Sequence, residues 1–291
     1  MKGKGKASIS FHHLSIDHVT IAWSALAPLE QTFANLGLAT DYGGLHSNGI
    51  THMALLGFED GSYLELISSL KPGQEDAIFW GKHIVGNGGP CAWAVRVDDV
   101  AAEAARLADL GITVKGPAYY HRRRPDGVLV EWDLAFLGDH EAGATLPFLI
   151  KDITPRDLRV RPSASAQANQ LTGLAVAALG VENLETTIAL FQHSYGWPAP
   201  QVQEDVAFGA KLACFKDTPV VLAAPLSTSP TWLSERLARF GPSPCAYLIA
   251  AQDFELSCQR FGLVNRQTWF ERQVAWFDPV RINGIKLGLI N

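Results

Sequence analysis

The stretch SIDHVTIAWSALAPLEQTFANLG, residues 15–37, contains the first two elements of a unit that the chain repeats. Residues 15–23 form an apolar run of the length and composition of a strand. The following residues carry apolar side chains at helical spacings of three and four, and a glycine ends the pattern: Leu26, Leu29, Phe33, Leu36 and Gly37. The stretch therefore predicts a strand followed by an amphipathic helix.

Two further strands are predicted after this helix. Residues 50–58 and 62–68 are apolar segments, and Glu59-Asp60-Gly61 between them contains the Asp-Gly pair typical of a hairpin turn. The first unit is therefore read as βαβββ.

The same order of elements occurs four times, and each helix ends at a glycine: Gly37, Gly111, Gly196 and Gly262. One such unit is too small to bury both its sheet face and its helix. We therefore expect an α+β fold in which four tandem βαβββ modules pair into two half-barrel cups. The sheets should be mixed and mainly antiparallel, with the helices outside.

The richest Pro and Ser segment separates the second module from the third. It contains Pro155, Pro162 and the run Ser163-Ala164-Ser165-Ala166. The expected organisation is a flexible N-terminus at 1–13, a first domain at 14–152, a linker at 153–169 and a second domain at 170–291.

Composition narrows the function classes. Charged residues make up 18% of the 291 residues and the formal net charge is −5, which argues against a general nucleic-acid binder. No apolar run approaches the ~18 residues of a membrane helix, and the N-terminus lacks a signal-peptide pattern, so a cytoplasmic protein without membrane partners is expected. The motifs of serine hydrolases, phosphate-loop nucleotidases, zinc proteases and dinucleotide-binding dehydrogenases are missing from the sequence.

Several short motifs in the first half resemble the vicinal oxygen chelate superfamily, and within it the glyoxalase-like domain family. The superfamily features are Ile16-Asp17-His18-Val19 on the first strand and Tyr63-Leu64-Glu65-Leu66-Ile67 on the fourth. The family pattern covers residues 14–152 and comprises Gly43-Gly44-Leu45-His46, Gly49-Ile50-Thr51, Tyr63-Leu64-Glu65, Arg124-Pro125-Asp126-Gly127, Trp132 and Pro147-Phe148-Leu149-Ile150. Beyond residue 170 only the order of the modules matches.

The resemblance implies a metal site. His18 and Glu65 match the positions at which the superfamily holds a divalent metal such as Zn, Mn, Fe or Ni, and Glu65 is also the expected catalytic residue. Such an ion stabilises negative charge that develops on a substrate oxygen. The second module departs from the pattern, because Ala92 stands where a second histidine is expected. A third ligand is left open among His46, His52 and His121.

Strand alternation predicts which side chains share a face with these residues. On the first strand it groups His18 with Ile16, Thr20 and Ala22, and it places Asp17 on the opposite face. On the fourth strand Glu65 shares a face with Tyr63 and Ile67, whereas Leu64 and Leu66 point to a core covered by helices.

Five further residues are predicted to contact a substrate: His46, His52, Arg96, Arg124 and Trp132. Arg96 is alternatively the cation that neutralises Glu65. For the run Arg122-Arg123-Arg124 two interpretations stand, a solvated loop or one guanidinium that enters the cup and holds a carboxylate or phosphate. Eight of the nine histidines precede residue 141, so chemistry is expected in the first half.

Two functions remain open. The first is a metal-dependent lyase, isomerase or dioxygenase that acts on a small oxygenated molecule. The second is a metal-free protein that binds or sequesters a small ligand in the same cup. The second half is interpreted as a degenerate copy that covers sheet edges and can form a homodimer through its tryptophans, Trp197, Trp232, Trp269 and Trp276.

Overall fold

The structure is a computed structural model that describes residues 13–71, 73–226 and 230–291. Most of the predicted flexible N-terminus, residues 1–12, lies outside the described residues. Within them, no helix is long and apolar enough to cross a membrane.

The first half contains one set of strands and helices. Its strands are β1 (Ser15–Ala22), β2 (Asp41–Leu45), β3 (Thr51–Gly57), β4 (Tyr63–Ser69), β5 (Gly89–Arg96), β6 (Val114–Arg123), β7 (Leu129–Leu137) and β8 (Phe148–Asp152). Its helices are α1 (Leu26–Asn35), α2 (Gly81–Val85) and α3 (Val100–Asp109), with a 3-10 helix at Glu75–Ala77.

The second half follows two short helices, α4 (Arg156–Arg159) and α5 (Ala164–Ala168). Its strands are β9 (Leu171–Gly180), β10 (Gln201–Asp205), β11 (Ala210–Cys214), β12 (Val220–Pro225), β13 (Ser243–Ala251), β14 (Asn265–Trp269), β15 (Arg272–Trp276) and β16 (Leu287–Ile290). Its helices are α6 (Leu184–Tyr195), α7 (Trp232–Phe240) and α8 (Phe254–Phe261).

The strands form two eight-stranded sheets with the same topology. The strand orders are β2-β3-β4-β1-β5-β8-β7-β6 and β10-β11-β12-β9-β13-β16-β15-β14. In each sheet the two central strands are antiparallel, each is parallel to its outer neighbour, and the remaining pairs are antiparallel. The predicted α+β fold of paired βαβββ modules is confirmed, with modules one and two in one sheet and modules three and four in the other.

Local sequence explains where the helices begin and end. Four of the described helices start at a residue whose side chain accepts a hydrogen bond from the backbone N–H three residues later: Asp99, Asn183, Thr231 and Asp253. The four glycines predicted to end helices all have positive φ, the conformation that favours glycine at this position.

The two sheets share one hydrophobic core. Val19 and Ile21 of the first sheet pack in the same cluster as Leu179 and Ile249 of the second. The buried Tyr247 hydroxyl also donates hydrogen bonds to the backbone oxygens of β1 and β5, at 3.0 and 2.7 Å. The faces that meet here are the ones opposite the concave surfaces, so packing between the halves leaves the inside of each cup free for other contacts.

Residues 153–169 are a folded connection. Besides α4 and α5, the segment contributes Ser163, whose hydroxyl accepts a hydrogen bond from the Gly57 backbone N–H at 3.1 Å and donates one to Asp41 at 2.5 Å. Arg159 of α4 is only 4% exposed. The segment therefore packs against the first sheet.

The concave face of the second sheet is filled by aromatic side chains. Phe208 stacks on Trp276 at 5.3 Å and meets Trp269 edge-on at 5.0 Å, and the Trp269 indole N–H donates to Asp205. The opposite edges of this sheet are bridged by Gln203 of β10, which donates to the Thr268 carbonyl of β14 at 2.9 Å. This packing leaves the second concave face an aromatic core.

The same packing corrects the argument for a homodimer through tryptophans. Trp269 and Trp276 fill the second cup and Trp197 lies in the core shared by the sheets, so all three are buried within the chain. The homodimer itself stays a prediction.

A buried histidine where the halves meet predicts a pH dependence of stability. His83 of α2 stacks on Phe240 of α7 at 4.7 Å, and neither of its ring nitrogens has a hydrogen-bond partner among the described residues. Burial lowers the pKa of His83, although the Glu141 carboxylate at 3.7 Å acts in the opposite direction. The unfolded chain therefore takes up a proton first, near pH 6.5, and the stability of the fold decreases as the pH falls below that value.

We expect a His83→Phe variant to lose less stability between pH 7 and pH 5 than the wild type, measured by urea unfolding at both pH values. An exposed control, His193→Phe, should retain the wild-type loss. Equal losses in all three proteins would contradict the role of His83.

Candidate active site

The concave face of the first sheet encloses a cavity of about 480 Å³. Polar groups gather at one side of it and aromatic and aliphatic groups cover the remainder. Its lining includes His18, His46, Tyr63, Glu65, Asp76, Trp80, Tyr120, His121, Arg122, Trp132, Phe136, Phe148 and Arg159. This cavity is the candidate active site of the first half.

A β-bulge in β1 decides which side chains face the cavity. In the pairing with β5, Ile16 lies opposite Val95 and His18 opposite Ala94, so Asp17 is the extra residue. A bulge interrupts the two-residue alternation of a strand. The predicted grouping of Ile16 with His18 is therefore wrong: Ile16 packs in the core shared by the sheets, whereas Asp17 and His18 hydrogen-bond to each other.

Asp17 is held as a buried carboxylate by two arginines from α4. Its oxygens lie 2.8 Å from a nitrogen of Arg159 and 2.6 Å from a nitrogen of Arg156. Burial by itself raises the pKa of Asp17, but the charge of Arg159 and the hydrogen bond with His18 hold it well below its usual range. Asp17 is therefore ionised at neutral pH. Sequence analysis did not single out Arg159, because its role depends on where α4 docks.

The Asp17 carboxylate fixes the orientation of His18. The His18 Nδ1 atom lies 2.7 Å from Asp17 Oδ1, and because an ionised carboxylate only accepts, Nδ1 carries a proton. The ring stacks on Tyr63 at 4.7 Å and meets Phe148 edge-on at 5.2 Å. His18 thus lines the cavity with its Nε2 atom unconstrained by the Asp17 contact.

Glu65 is a buried carboxylate without a strong partner. Its side chain is 7% exposed, and among the described residues the nearest basic group is His46 Nε2, at 3.6 Å from Oε1. Burial lowers the pKa of His46, while the charge of Glu65 acts in the opposite direction. As predicted, Glu65 shares its face with Tyr63 and Ile67, and Leu64 and Leu66 pack in the hydrophobic core.

Aromatic side chains form the apolar wall of the cavity. Phe148 lies at its centre, 5.8 Å from the Phe136 ring and 6.4 Å from the Trp80 ring. Trp80 is fixed by two contacts, its indole N–H to the Ala142 carbonyl at 2.8 Å and its backbone N–H to the Glu141 carboxylate. The wall suits a flat, apolar body next to the polar cluster.

One guanidinium of the arginine run enters the cup, and it belongs to Arg122. Arg122 and Arg123 are part of β6, where the sequence had left a solvated loop as one interpretation, and alternation along the strand directs Arg122 inward and Arg123 outward. Arg122 is 4% exposed and donates hydrogen bonds to the Gly43 carbonyl at 2.6 Å and the Arg159 carbonyl at 2.8 Å.

The predicted site residues separate into two groups. His18, His46, Glu65 and Trp132 line the cavity, as does His121. Three others have side chains elsewhere. His52 lies on the strand face opposite Met53 and packs on Tyr42, Arg96 donates to the Asp60 and Ile16 carbonyls, and Arg124 donates to the Leu158 carbonyl and pairs with Asp126 at 2.8 Å.

A divalent metal in the cavity would need several protein ligands close together. His18, His46 and Glu65 are ligands of a suitable type, and catalytic zinc usually has three protein ligands. Within the part of the chain that the structure describes, however, no three His, Cys, Asp or Glu side chains lie close enough together to hold a metal ion. The described side chains therefore do not fit a complete metal centre.

Solved structures share this architecture over nearly the whole chain. A hypothetical protein from Staphylococcus aureus has a TM-score of 0.61 at 13% identity, covering 95% of this chain and 98% of that chain. A mutant of 4-hydroxymandelate synthase from Streptomyces coelicolor has a TM-score of 0.61 at 15% identity, covering 96% and 92%. A fusion of a xylose isomerase-like TIM barrel with 4-hydroxyphenylpyruvate dioxygenase has a TM-score of 0.56 at 13% identity, covering 96% and 49%.

These likenesses and the paired βαβββ modules define the class: a protein with the vicinal oxygen chelate fold. The family model described as a glyoxalase-like domain matches residues 16–195, which is more than half of the chain. The chain belongs to the glyoxalase-like domain family. The match includes the whole first sheet, the folded connection and the first strand and helix of the second half. No curated protein matches the sequence.

Proposed function

We propose that the chain is an enzyme that binds a small oxygenated molecule with an apolar body in the first cup and exchanges a proton with it through Glu65. The observation that carries this proposal is the environment of the Glu65 carboxylate. This carboxylate faces a largely apolar cavity and is nearly buried, and the ionisable group within 4 Å of it among the described residues is the His46 ring, at 3.6 Å, while the Arg122 charge acts from farther away.

A comparison within the same cup supports a role beyond structure for this carboxylate. Asp17, also buried, is compensated by two arginines at 2.6 and 2.8 Å. Burying a charged group without such compensation is costly. A carboxylate that faces the cavity is also placed to take a proton from a molecule bound there, as a general base does.

The surrounding groups give the ligand an orientation. An apolar or aromatic body fits against Phe148 and Trp132, which places an oxygen substituent near His18 and His46. With Nδ1 held by Asp17, the His18 Nε2 atom accepts a hydrogen bond from a hydroxyl group when the ring is neutral. It donates one to a carbonyl oxygen when the ring is protonated.

The simplest reaction for these groups is enolisation. Glu65 takes a proton from the carbon next to a carbonyl group, the electrons of that C–H bond form the C=C bond of an enol or enolate, and the proton returns to the same or the neighbouring carbon. Isomerases and lyases need this step, and it requires no oxidant. The dioxygenase alternative is not part of the proposal.

Proton exchange in D₂O tests the proposal. We expect the protein to accelerate deuterium incorporation next to the carbonyl group of at least one of two probes, 2-hydroxyacetophenone and phenylpyruvate, above the rate in buffer, followed by ¹H NMR. Binding of the probes without exchange would instead support the sequestering protein. If the protein neither binds the probes nor exchanges their protons, the proposal is overturned.

The metal site implied by the family resemblance stays a prediction with its own test. One observation favours it: the Asp17 carboxylate fixes His18 in the tautomer whose Nε2 lone pair binds metals. Near-stoichiometric Zn, Mn, Fe or Ni in untagged protein purified without chelator, lost from a His18→Ala variant prepared identically, would confirm it. Metal absent from both proteins, or equal in both, would count against it.

A further inference from the structure

Arg122 is a buried cation at the mouth of the first cup, and the described carboxylate that acts on its charge, Glu65, lies beyond salt-bridge distance. Its contacts among the described residues are two backbone carbonyl oxygens, of Gly43 and of Arg159. No carboxylate of the described residues lies within salt-bridge distance of it, in contrast to Arg159, which pairs with Asp17 and Asp152. Burial lowers the pKa of Arg122, yet an arginine stays charged at neutral pH.

The hydrogen-bonding capacity of Arg122 is only partly used. A guanidinium group carries five N–H donors in a planar fork. The two carbonyl contacts involve Nη1 and Nη2, one each, so three donors remain. Arg122 lines both the cavity and an adjoining open groove, which also contains Arg123 and His121. A ligand that passes from the groove into the cavity therefore comes into contact with Arg122.

We infer that the molecule bound in the first cup carries an anionic oxygen group, a carboxylate or a phosphate, and that Arg122 binds this group at the mouth of the cavity. The inference rests on the proposed function, because it concerns the ligand of the same cup. Its physical reason is that a planar guanidinium matches the geometry of both anions and forms its strongest hydrogen bonds with them. An anion there also supplies a countercharge in direct contact, whereas the Glu65 carboxylate acts on Arg122 only from beyond salt-bridge distance.

The arrangement separates binding from chemistry. Arg122 and Glu65 both line the cavity, while the aromatic wall of Phe148 and Trp132 lies alongside. A ligand held at its anionic end by Arg122 and along its body by the wall has its remaining polar atoms near Glu65 and His18. Arg122 is in this sense a positioning residue that determines specificity.

Three probes that share a phenyl ring test the inference: phenylacetate, phenyl phosphate and the neutral phenylacetamide. We expect the wild type to bind at least one of the two anions about 10–100 times more tightly than the amide, as measured by quenching of tryptophan fluorescence and by calorimetry. The preferred anion tells a carboxylate ligand from a phosphate ligand.

Substitutions then assign the preference to one arginine. An Arg122→Met variant should bind all three probes about equally, and Arg122→Lys should retain part of the preference. The control is Arg266→Met, which removes an arginine that pairs with Glu255 in the second half of the chain and should leave the preference intact. Arg122 also links two backbone segments, so its replacement can affect folding. Circular dichroism and thermal unfolding show whether each variant is folded. If Arg122→Met is not folded, Arg122→Lys provides the test.

The other outcomes of the binding experiments would each contradict one of these expectations. Equal binding of anions and amide by the wild type overturns the inference and leaves the proposed function intact. A preference that survives in Arg122→Met, or disappears in Arg266→Met, overturns the assignment to Arg122. Binding of none of the three probes by the wild type overturns the proposed aromatic-lined ligand site and, with it, this inference.

Discussion

An Arg159→Met variant is expected to lose about 3–5 kcal/mol of its free energy of unfolding, the usual cost of removing one partner of a buried ion pair. Arg159 is almost completely buried and contacts two carboxylates, those of Asp17 and Asp152, at 2.8 and 2.5 Å. Its loss leaves Asp17 with Arg156 as its only ion-paired arginine among the described residues. Urea unfolding of both proteins at pH 7 measures the difference.

The same ion pair predicts how the difference varies with pH. The pKa of Asp17 is depressed in the folded protein, so its stabilising contribution is present above the unfolded value of about 4 and is lost as the pH falls through the folded value. We therefore expect the gap between the two proteins to shrink in acid.

A matched control distinguishes this pair from an ordinary surface arginine. Arg161 is 63% exposed and lies 3.8 Å from Asp157, so Arg161→Met should change the free energy of unfolding by less than about 0.5 kcal/mol. A loss of unfolding free energy in Arg159→Met as small as the loss expected for Arg161→Met would show that the buried network contributes little to stability.

A Glu65→Gln variant is expected to slow the exchange reaction by about 10²–10⁴-fold, the usual contribution of a general base. Glutamine has nearly the same shape and still faces the cavity, but it cannot accept the proton. The measurement is the rate of deuterium incorporation into the probe exchanged by the wild type, with binding of that probe measured in parallel.

The control for this variant is Asp76→Asn, which removes another carboxylate from the lining of the same cavity. It should retain the wild-type exchange rate within a few-fold. Unchanged exchange in Glu65→Gln would exclude Glu65 as the base. A loss of probe binding equal to the loss of exchange would instead indicate that the residue acts in binding.

Much of the site followed from short-range sequence patterns. On β4, the two-residue alternation placed Glu65 with Tyr63 on the cavity side, as the structure has it. The same reasoning failed on β1, because the bulge at Asp17 inserts one residue into the pairing with β5. A single sequence gives little warning of such a bulge, since it arises from how two strands pair.

The arginines illustrate a second limit. The sequence run drew attention to three consecutive arginines, but strand alternation within β6 selected Arg122 and left Arg124 outside the cavity. Recognising β6 as a strand that continues through Arg123 would have favoured Arg122. Nothing local indicated Arg159, because the position of its long side chain depends on how α4 docks against β1.

The sequence by itself determined the four βαβββ modules and the position of Glu65 on the same face of its strand as Tyr63. These features follow from periodicities and turn residues that act over a few neighbours in the chain. Only the tertiary structure decided which modules share a sheet, that the second cup is filled by aromatic side chains, that α4 supplies the countercharge of Asp17, and that Arg122 stands at the cavity mouth without an ion-paired carboxylate. Each of these depends on which distant segments meet, and packing and charge compensation between such segments are not encoded in local spacing.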